Sequence, residues 1–184
     1  MLTIALPKGR IADETLDRFE KAFGEKFVFE DRKLILEKSG FKFLNVRNQD
    51  VPTYVMHGAA DLGVVGLDVL EEKEYDLIKL LDLKLGRCKV AFGLRAGEKL
   101  NFDKSKITIA TKHEKIAKKY FEQKAMAVEI IKLYGSIELA PLVGLCDCIV
   151  DIVETGETMK QNGLEVGPTI METTAHLIAN KNSF

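Results

Sequence analysis

The sequence predicts an α/β fold made of two units. Short apolar runs alternate with amphipathic segments at helical spacing, the pattern of strands and helices that follow one another along the chain. The first example is an apolar strand over residues 2–6, a Pro-Lys-Gly-Arg turn at residues 7–10 and a helix over residues 11–23. A polar, turn-rich stretch over residues 96–106 then indicates that a second unit begins there.

The first unit continues with further short strands and helices. Strands are predicted at residues 27–29, 33–36, 41–46, 61–66, 77–81 and 88–94, with a crossing segment at 82–87. Asp50 is expected to cap a helix over residues 51–57, and Pro52 lies in its first turn, where the missing N–H costs nothing. A second helix follows at residues 67–73.

The second unit shows the same alternation. Its predicted strands are residues 107–111, 128–132 and 148–153, its predicted helices are 113–123 and a short one after Gly135-Ser136, and two last strands follow at 164–171 and 175–180. We assign residues 1–90 and 172–184 to the first unit and residues 91–171 to the second. No internal sequence repeat is detectable.

One turn in the second unit has the features of a phosphate-binding loop. Its residues are Glu154, Thr155, Gly156, Glu157 and Thr158. It follows a buried apolar strand and leads into a helix over residues 158–162 that closes at Gly163 in the left-handed conformation. A helix start presents unpaired N–H groups, and glycine lets the backbone approach an anion closely. The alternative is an ordinary turn whose threonines only cap the helix.

Two acidic residues accompany this turn. Asp151 interrupts the apolar strand, and Glu138 lies thirteen residues before it. Carboxylates repel a bare anion but bind ribose hydroxyls or the water of a Mg²⁺ ion, so the combination indicates a sugar phosphate. It resembles the phosphoribosyl-diphosphate loop of phosphoribosyltransferases. The two acids can converge on one metal ion in a strand, helix, strand arrangement; alternatively, Glu138 only completes a helix cap.

Basic residues lie beside the predicted strand ends of the first unit. Lys8 and Arg10 flank the glycine after the first strand, Arg32 precedes a strand and Arg47 follows one. Ligands of α/β sheets gather at the carboxyl ends of strands. These side chains are therefore candidates for binding a diphosphate, which arginine can hold bidentately. Each of them is alternatively a solvated surface charge.

Composition excludes several classes of protein. The net charge of −1 argues against a nucleic-acid-binding protein, and no apolar run is long enough to span a membrane. The first turn comes too early for a signal peptide, so we expect a cytoplasmic protein.

Cys146 and Cys148 are predicted on one face of a strand, which favours buried packing over metal binding. None of the three histidines has an evident partner, so no catalytic histidine is assigned.

Five segments together closely resemble the short-form catalytic subunit of the ATP phosphoribosyltransferase family. They are residues 6–10, 47–54, 58–66, 135–141 and 147–164, which span most of the chain. The resemblance implies two α/β lobes of the periplasmic-binding-protein type II kind, with mixed sheets flanked by helices and an active site in the cleft between the lobes. Family members usually continue into a further helix after the equivalent of residues 175–180, which suggests a truncated C-terminus here.

The resemblance also implies a reaction and a set of roles. In a Mg²⁺-dependent first step of histidine biosynthesis, N1 of ATP displaces diphosphate from C1 of phosphoribosyl diphosphate. Residues 154–158 would hold the 5-phosphate, and Asp151 with Glu138 would face the ribose and the metal. The basic residues would serve the diphosphate and the ATP phosphates: Lys8, Arg32 and Arg47 as catalytic residues and Arg10 as a binding residue.

The resemblance further implies a homodimer within a hetero-oligomer that includes a regulatory subunit related to histidyl-tRNA synthetase. Two other functions remain open at this point. One is a solute-binding or effector-sensing module on the same two-lobed scaffold, because a fold alone does not fix a function. The other is a phosphoribosyltransferase that uses a different nucleophile.

Overall fold

The computed structural model describes residues 1–183, which form two compact α/β units. Unit 1 consists of Met1–Arg87 and the C-terminal residues from Thr174, and unit 2 is Cys88–Thr173. In chain order the elements are β1 (Leu2–Pro7), α1 (Arg10–Phe23), β2 (Ile35–Lys38), β3 (Phe41–Val46), α2 (Val51–Met56), β4 (Leu62–Gly66), α3 (Leu67–Glu72), β5 (Ile78–Arg95), β6 (Ile107–Thr111), α4 (Glu114–Glu122), β7 (Val128–Lys132), α5 (Leu139–Leu142), β8 (Cys148–Val153), α6 (Glu157–Gln161) and β9 (Leu164–Ala179).

The strands of unit 1 pair in the order β2-β3-β1-β4-β9. Strand β1 is parallel to β3 and β4, whereas β2 is antiparallel to β3 and β9 is antiparallel to β4. Helix α1 covers this sheet because its apolar residues recur at helical spacing: Ala12 and Leu16 join Phe43 in the core. It ends at Gly24, whose φ of +70° is the left-handed conformation common after a last helical turn.

The strands of unit 2 pair in the order β5-β8-β6-β7. Strand β6 is parallel to both β7 and β8, and β5 is antiparallel to β8. Helix α4 buries Ile116 and Phe121 against Phe92 of β5 and Ile109 of β6. The carboxyl ends of β6 and β8 therefore lie side by side at one edge of the unit.

Three local predictions were wrong. Residues 27–29 form no strand; Phe27 is buried through ring contacts with Phe19 and Phe41, so its burial comes from aromatic packing. The predicted crossing segment at 82–87 lies inside the continuous strand β5, where the positive φ of Lys84 (+56°) bends the backbone without ending the strand. Residues 164–179 likewise form the single strand β9.

The predicted cap of α2 was also wrong. Asp50 belongs to a short 3-10 turn, Asn48–Asp50, that runs directly into α2, and its side chain makes no capping hydrogen bond. The turn supplies backbone hydrogen bonds in place of the cap, as the bond from Asp50 N–H to the carbonyl of Arg47 (2.9 Å) shows. No helix within residues 1–183 has the length and apolar character needed to cross a membrane.

Candidate active site

A cavity of about 360 Å³ in unit 2 brings together all the residues that the sequence singled out there. The predicted residues that line it are Glu138, Asp151, Glu154, Thr155, Gly156, Glu157 and Thr158. They come from the loop before α5, from β8, from the turn between β8 and α6, and from the first residues of α6. The structure thus groups side chains from separate parts of the sequence around one space.

The turn that follows β8 depends on Gly156. Its φ of +82° is a left-handed conformation that side chains rarely adopt, and a Cβ atom there would lie 2.8 Å from Cγ2 of Val166. Helix α6 begins directly after it, at Glu157, one residue earlier than predicted. Met159 is buried in the core and fixes this short helix to unit 2. The backbone of the turn is therefore tightly constrained.

The threonines of the turn have separate environments. The hydroxyl oxygen of Thr155 accepts the N–H of Glu157 at 3.3 Å, so Thr155 does stabilise the start of α6. Both Thr155 and Thr158 are exposed and line the cavity. The prediction that Gly163 adopts the left-handed conformation after the helix is confirmed by its φ of +73°.

Asp151 has two neighbours that sequence reasoning did not assign to the site. Lys112 Nζ lies 3.2 Å from Asp151 Oδ1, and His113 Nε2 lies 3.7 Å from the same oxygen. Both residues directly follow β6, whose last residue, Thr111, pairs with Val150 in parallel register. The sequence did contain a signal for Lys112 and His113, because both are polar residues directly after a predicted strand. The same signal identified Lys8 after β1.

His113 is a buried, neutral histidine. Its exposed fraction is 4%, and burial lowers its pKa to about 4, with a further lowering from the charge of Lys112 that outweighs the opposing effect of Asp151. Near pH 7 it therefore forms no ion pair with Asp151, despite their proximity. Within residues 1–183, neither Nε2 of His113 nor Oδ1 of Asp151 has a hydrogen-bond partner.

Glu138 immediately precedes α5 and faces the cavity. Its side chain makes no capping hydrogen bond, so the alternative in which it only caps the helix is not what the structure shows. Its carboxylate is half-buried. Glu138 and Asp151 thus contribute to the lining of one cavity from two different elements.

The predicted basic residues all lie in unit 1, at the carboxyl edge of its parallel strands. Lys8 follows β1 and its N–H donates to the carbonyl of Val46 at 2.9 Å, so Lys8 and Arg47 follow neighbouring strand ends. Arg32 lies in the turn before β2 with a positive φ of +59°, and the antiparallel register of β2 with β3 brings this turn toward the same edge. Arg10 begins α1 and pairs with Glu14 at 3.5 Å.

Comparison with known proteins identifies the family. A family model described as HisG, ATP phosphoribosyltransferase, matches residues 47–184. A protein of Wolinella succinogenes named ATP phosphoribosyltransferase is 69% identical over 184 residues, covering all of this chain and 89% of that protein. A protein of the same name from Sulfurovum sp. is 67% identical over the same shares. The chain belongs to the ATP phosphoribosyltransferase family.

Solved structures agree with this assignment. The ATP phosphoribosyl transferase (HisG:HisZ) complex from Thermotoga maritima contains a chain that is 38% identical, with a TM-score of 0.80 over 100% of this chain and 89% of that one. A substrate-binding protein of an amino acid ABC transporter has a TM-score of 0.57 at 12% identity, over 98% and 85% of the two chains. That second similarity shows the fold alone, and it confirms the predicted resemblance to periplasmic binding proteins.

Membership of the ATP phosphoribosyltransferase family confirms the predicted enzyme class and pathway. The chain is a transferase, as the shared name of its relatives, ATP phosphoribosyltransferase, states. The reaction of that enzyme is the first step of histidine biosynthesis. The individual site residues are not settled by the family assignment and stay predictions.

The two neighbouring cysteines are structural, although their predicted arrangement was wrong. Cys146 precedes β8 and packs in a core cluster with Met159, whereas Cys148 lies in β8 and packs in a different cluster with Phe92. They do not share one face of a strand. Burial raises the pKa of both thiols, that of Cys148 to about 12, so both stay protonated near pH 7. Neither belongs to a metal-binding group within the part of the chain that the structure describes.

The acidic residues of the cavity are suitable ligands for a Mg²⁺ ion. Glu138 and Asp151 offer oxygen ligands, which Mg²⁺ prefers, and Oδ1 of Asp151 is buried without a hydrogen-bond partner within residues 1–183. Residues 1–183 contain no group of three or more His, Cys, Asp or Glu side chains that could hold a metal ion by themselves. This donor set suits an ion that is held by one or two carboxylates together with the phosphates of a substrate.

Proposed function

We propose that this chain transfers the phosphoribosyl group of phosphoribosyl diphosphate to N1 of ATP, giving phosphoribosyl-ATP and diphosphate, and that the cavity of unit 2 holds the sugar phosphate. The observation that carries the proposal is the cavity itself. In it, the backbone turn at Gly156 and the carboxylate of Asp151 face one space of about 360 Å³. A volume of this size fits a phosphorylated ribose.

The turn suits the 5-phosphate of the ribose. Gly156 has no side chain to obstruct the approach of an anion, and α6 begins directly after it, where a helix start presents backbone N–H groups without helical partners. The hydroxyls of Thr155 and Thr158 add donors at the cavity wall. Asp151 is placed to accept hydrogen bonds from ribose hydroxyls, since an ionised carboxylate is only an acceptor.

The basic residues of unit 1 suit the leaving group. As the bond to C1 stretches, negative charge grows on the departing diphosphate and positive charge grows on the sugar. Lys8, Arg32 and Arg47 would act as catalytic residues by stabilising the diphosphate, and Arg10 would bind phosphate. The four side chains are exposed at one edge of unit 1. Their convergence on the substrate held by unit 2 stays a prediction.

Positioning and electrostatics account for this reaction without a general base. N1 of adenine carries no proton that must be removed before attack, so catalysis depends on alignment of the two substrates. Glu138 and Asp151 would hold Mg²⁺ at the ribose end of the cavity, where the ion would supply positive charge to the diphosphate. This role requires only the carboxylates that already line the cavity.

We also propose that the chain works in an assembly. The Thermotoga maritima relative was solved as a HisG:HisZ complex and is 38% identical to the whole of this chain. By that relation, this chain would form a hetero-oligomer with a HisZ-like subunit. The family resemblance further implies that the chain forms homodimers within it and that the partner is a regulatory subunit related to histidyl-tRNA synthetase. Activity measurements should therefore include that subunit.

Release of diphosphate tests the proposed reaction. The protein, with and without its regulatory subunit, is incubated with phosphoribosyl diphosphate, Mg²⁺ and one candidate acceptor at a time: ATP, GTP, adenine or orotate. We expect release only with ATP, and formation of phosphoribosyl-ATP in equal amount. Release with another acceptor would assign a different phosphoribosyltransferase. Binding of phosphoribosyl diphosphate without turnover in any mixture would favour the sensing module.

A further inference from the structure

The ion pair between Lys112 and Asp151 lies beside the cavity of unit 2. We propose that Lys112 is a positioning residue: its ammonium group holds Oδ1 of Asp151, so that Oδ2 stays directed at the bound ribose and one negative charge of the cavity wall is balanced. The inference deepens the proposed function and rests on it, because it assumes that this cavity holds a phosphorylated ribose.

The wall of the cavity is acidic. Four carboxylates line it, those of Glu138, Asp151, Glu154 and Glu157, and within residues 1–183 no Lys or Arg is among the lining residues. Such a wall repels a substrate that carries phosphates unless cations offset part of its charge. Besides a Mg²⁺ ion, a protein cation in contact with one of these carboxylates would offset that charge.

Lys112 is a cation of this kind. Its Nζ atom lies 3.2 Å from Oδ1 of Asp151, nearer than Nε2 of His113 at 3.7 Å. The side chains of Lys112 and Asp151 are only 32% and 19% exposed, so water and salt screen their attraction less than that of a surface ion pair. Lys112 itself does not line the cavity. It is therefore placed to act on a ligand through Asp151 rather than by direct contact.

The two carboxylate oxygens of Asp151 have different surroundings. Oδ1 is buried and has no hydrogen-bond partner within residues 1–183. Asp151 nevertheless lines the cavity, and its side chain is partly exposed. The exposed part therefore belongs to other atoms, and Oδ2 is the carboxylate oxygen that a ligand in the cavity can reach. Because a carboxylate is planar, a cation that holds Oδ1 also fixes the direction of Oδ2.

The backbone holds Lys112 beside the strand that carries Asp151. Thr111, the last residue of β6, pairs with Val150 in parallel register. The hydroxyl of Thr111 donates to the carbonyl of Val150 at 2.6 Å, and its oxygen accepts the backbone N–H of His113 at 2.9 Å. These hydrogen bonds fix the backbone on both sides of Lys112. Only the stem of its side chain must then be ordered for the ammonium to stay at the carboxylate.

Two substitutions of Lys112 separate its charge from its bulk. Lys112→Met keeps most of the apolar stem and removes the ammonium, whereas Lys112→Arg keeps a cation. We expect Lys112→Met to raise the Kd and KM for phosphoribosyl diphosphate about tenfold, with the KM for ATP unchanged, because Asp151 loses the group that orients it and balances its charge. Lys112→Arg should recover most of the loss. Titration calorimetry with Mg²⁺ and initial rates, both on the complex with its regulatory subunit, give these values, and thermal unfolding confirms folding.

Lys118→Met is the matched control. Lys118 lies in α4 of the same unit and pairs with Glu122 at 3.8 Å, but its side chain is exposed. The substitution removes the same charge from unit 2 and leaves Asp151 untouched, so this variant should bind like the wild type. If it binds as weakly as Lys112→Met, the effect comes from the net charge of the unit and the proposed role of Lys112 is wrong.

A double-mutant cycle tests whether Lys112 acts through Asp151. In Asp151→Asn the carboxylate charge is already gone, so Lys112 has nothing left to orient or balance. The combination of Lys112→Met with Asp151→Asn should therefore bind phosphoribosyl diphosphate about as weakly as Asp151→Asn alone. Losses that simply add would mean that Lys112 acts independently of Asp151 and would overturn its positioning role.

The results distinguish this inference from the proposed function. Wild-type affinity in Asp151→Asn would overturn the assignment of the cavity itself. If Asp151→Asn loses affinity while Lys112→Met does not, only the role of Lys112 is overturned. That role also fails if Lys112→Arg, folded, is as impaired as Lys112→Met, because the charge would then not be what matters.

Discussion

Units 1 and 2 share a strand order but carry different chemistry at their carboxyl ends. In unit 1 the central order is β3-β1-β4 with β9 antiparallel at the side, and in unit 2 it is β7-β6-β8 with β5 antiparallel at the side. Strands β1 and β6 occupy the same position in these two orders, and each leads into an amphipathic helix, α1 or α4. The internal repeat that the sequence does not reveal is thus present in the structure.

The amino ends of the two units are built in the same way. In unit 1, the N–H of Asp61 donates to the carbonyl of Thr3 at 2.9 Å, and Oδ2 of Asp61 accepts the N–H of Thr3 at 2.9 Å. In unit 2, Asp147 and Thr108 make the same reciprocal pair at 2.8 and 2.9 Å. Each aspartate joins the start of a strand to its parallel neighbour, where the ladder has not yet begun.

The carboxyl ends differ, and in the proposed function this difference divides the binding of the substrate between the units. The turns after β1 and β3 carry Lys8 and Arg47, which suit a polyphosphate. The turn after β8 carries Gly156, and Asp151 lies within the strand itself, which suits a phosphorylated sugar. A common frame with different turns thus offers two kinds of binding edge. Changes at the carboxyl ends should alter function, and changes at the amino ends should alter stability.

The largest effect on catalysis is expected at the carboxyl edge of unit 1, where the basic residues lie. Arg47→Ala should lower kcat/KM by about 10²- to 10³-fold, because it removes a donor aimed at the charge that develops on diphosphate. Arg47 is exposed, so folding should not change. Steady-state rates with both substrates, measured with the regulatory subunit present, give the effect.

Arg18→Ala is the matched control for Arg47→Ala. Arg18 is also exposed in unit 1, but it lies within α1 and away from the strand ends. Its replacement should leave kcat/KM unchanged. Equal rates for Arg47→Ala and the wild type would remove Arg47 from the catalytic residues.

A smaller effect is expected at the phosphate turn. Gly156→Ala should raise the Kd for phosphoribosyl diphosphate roughly tenfold or more, because an alanine strains the left-handed backbone and its Cβ would contact Val166. Gly163→Ala provides the comparison: its φ is also positive, but no atom lies within 4 Å of the added Cβ. It should cost about 1 kcal/mol of stability and leave the Kd unchanged.

Calorimetric titration and thermal unfolding of both glycine variants separate binding from strain. If both variants lose affinity equally, backbone strain near α6 explains the result and the turn is not a specific phosphate site. If Gly156→Ala binds as well as the wild type, the 5-phosphate lies elsewhere.

The features predictable from sequence are local, and those that were missed depend on strand pairing. The turn at Gly156 was predicted correctly because an apolar strand, Gly156 and Gly163 are close together in the sequence and each has a conformational meaning. His113 was missed because its relation to Asp151 arises only when β6 lies parallel to β8. The repeated aspartate contact was hidden for the same reason: its partners are 58 residues apart in unit 1 and 39 in unit 2.

The smallest effects are expected at the amino ends, where the two units are alike. Asp147 accepts hydrogen bonds from Lys104 and from the N–H of Thr108, and these lower the pKa of its carboxyl. Its ionised form therefore stabilises the folded state above the pKa that it has when unfolded, about 4, and this stabilisation is lost as the pH falls through the lower folded-state pKa. Asp147→Asn should cost about 1 kcal/mol of unfolding free energy at pH 7, because the charge-assisted part of these hydrogen bonds is removed.

The pH dependence decides whether the charge or only the shape of Asp147 matters. The difference in unfolding free energy between the wild type and Asp147→Asn should shrink as the pH falls below about 4, since the wild-type carboxyl then becomes neutral as well. Denaturant unfolding at pH 7 and pH 3 measures it. Asp61→Asn should cost a similar amount at pH 7, and both variants should bind phosphoribosyl diphosphate normally, because both residues lie at the ends of the strands away from the turns. A difference that is constant with pH would mean that only the geometry of Asp147 is needed, and a loss of binding in either variant would show that the amino ends do not serve stability alone.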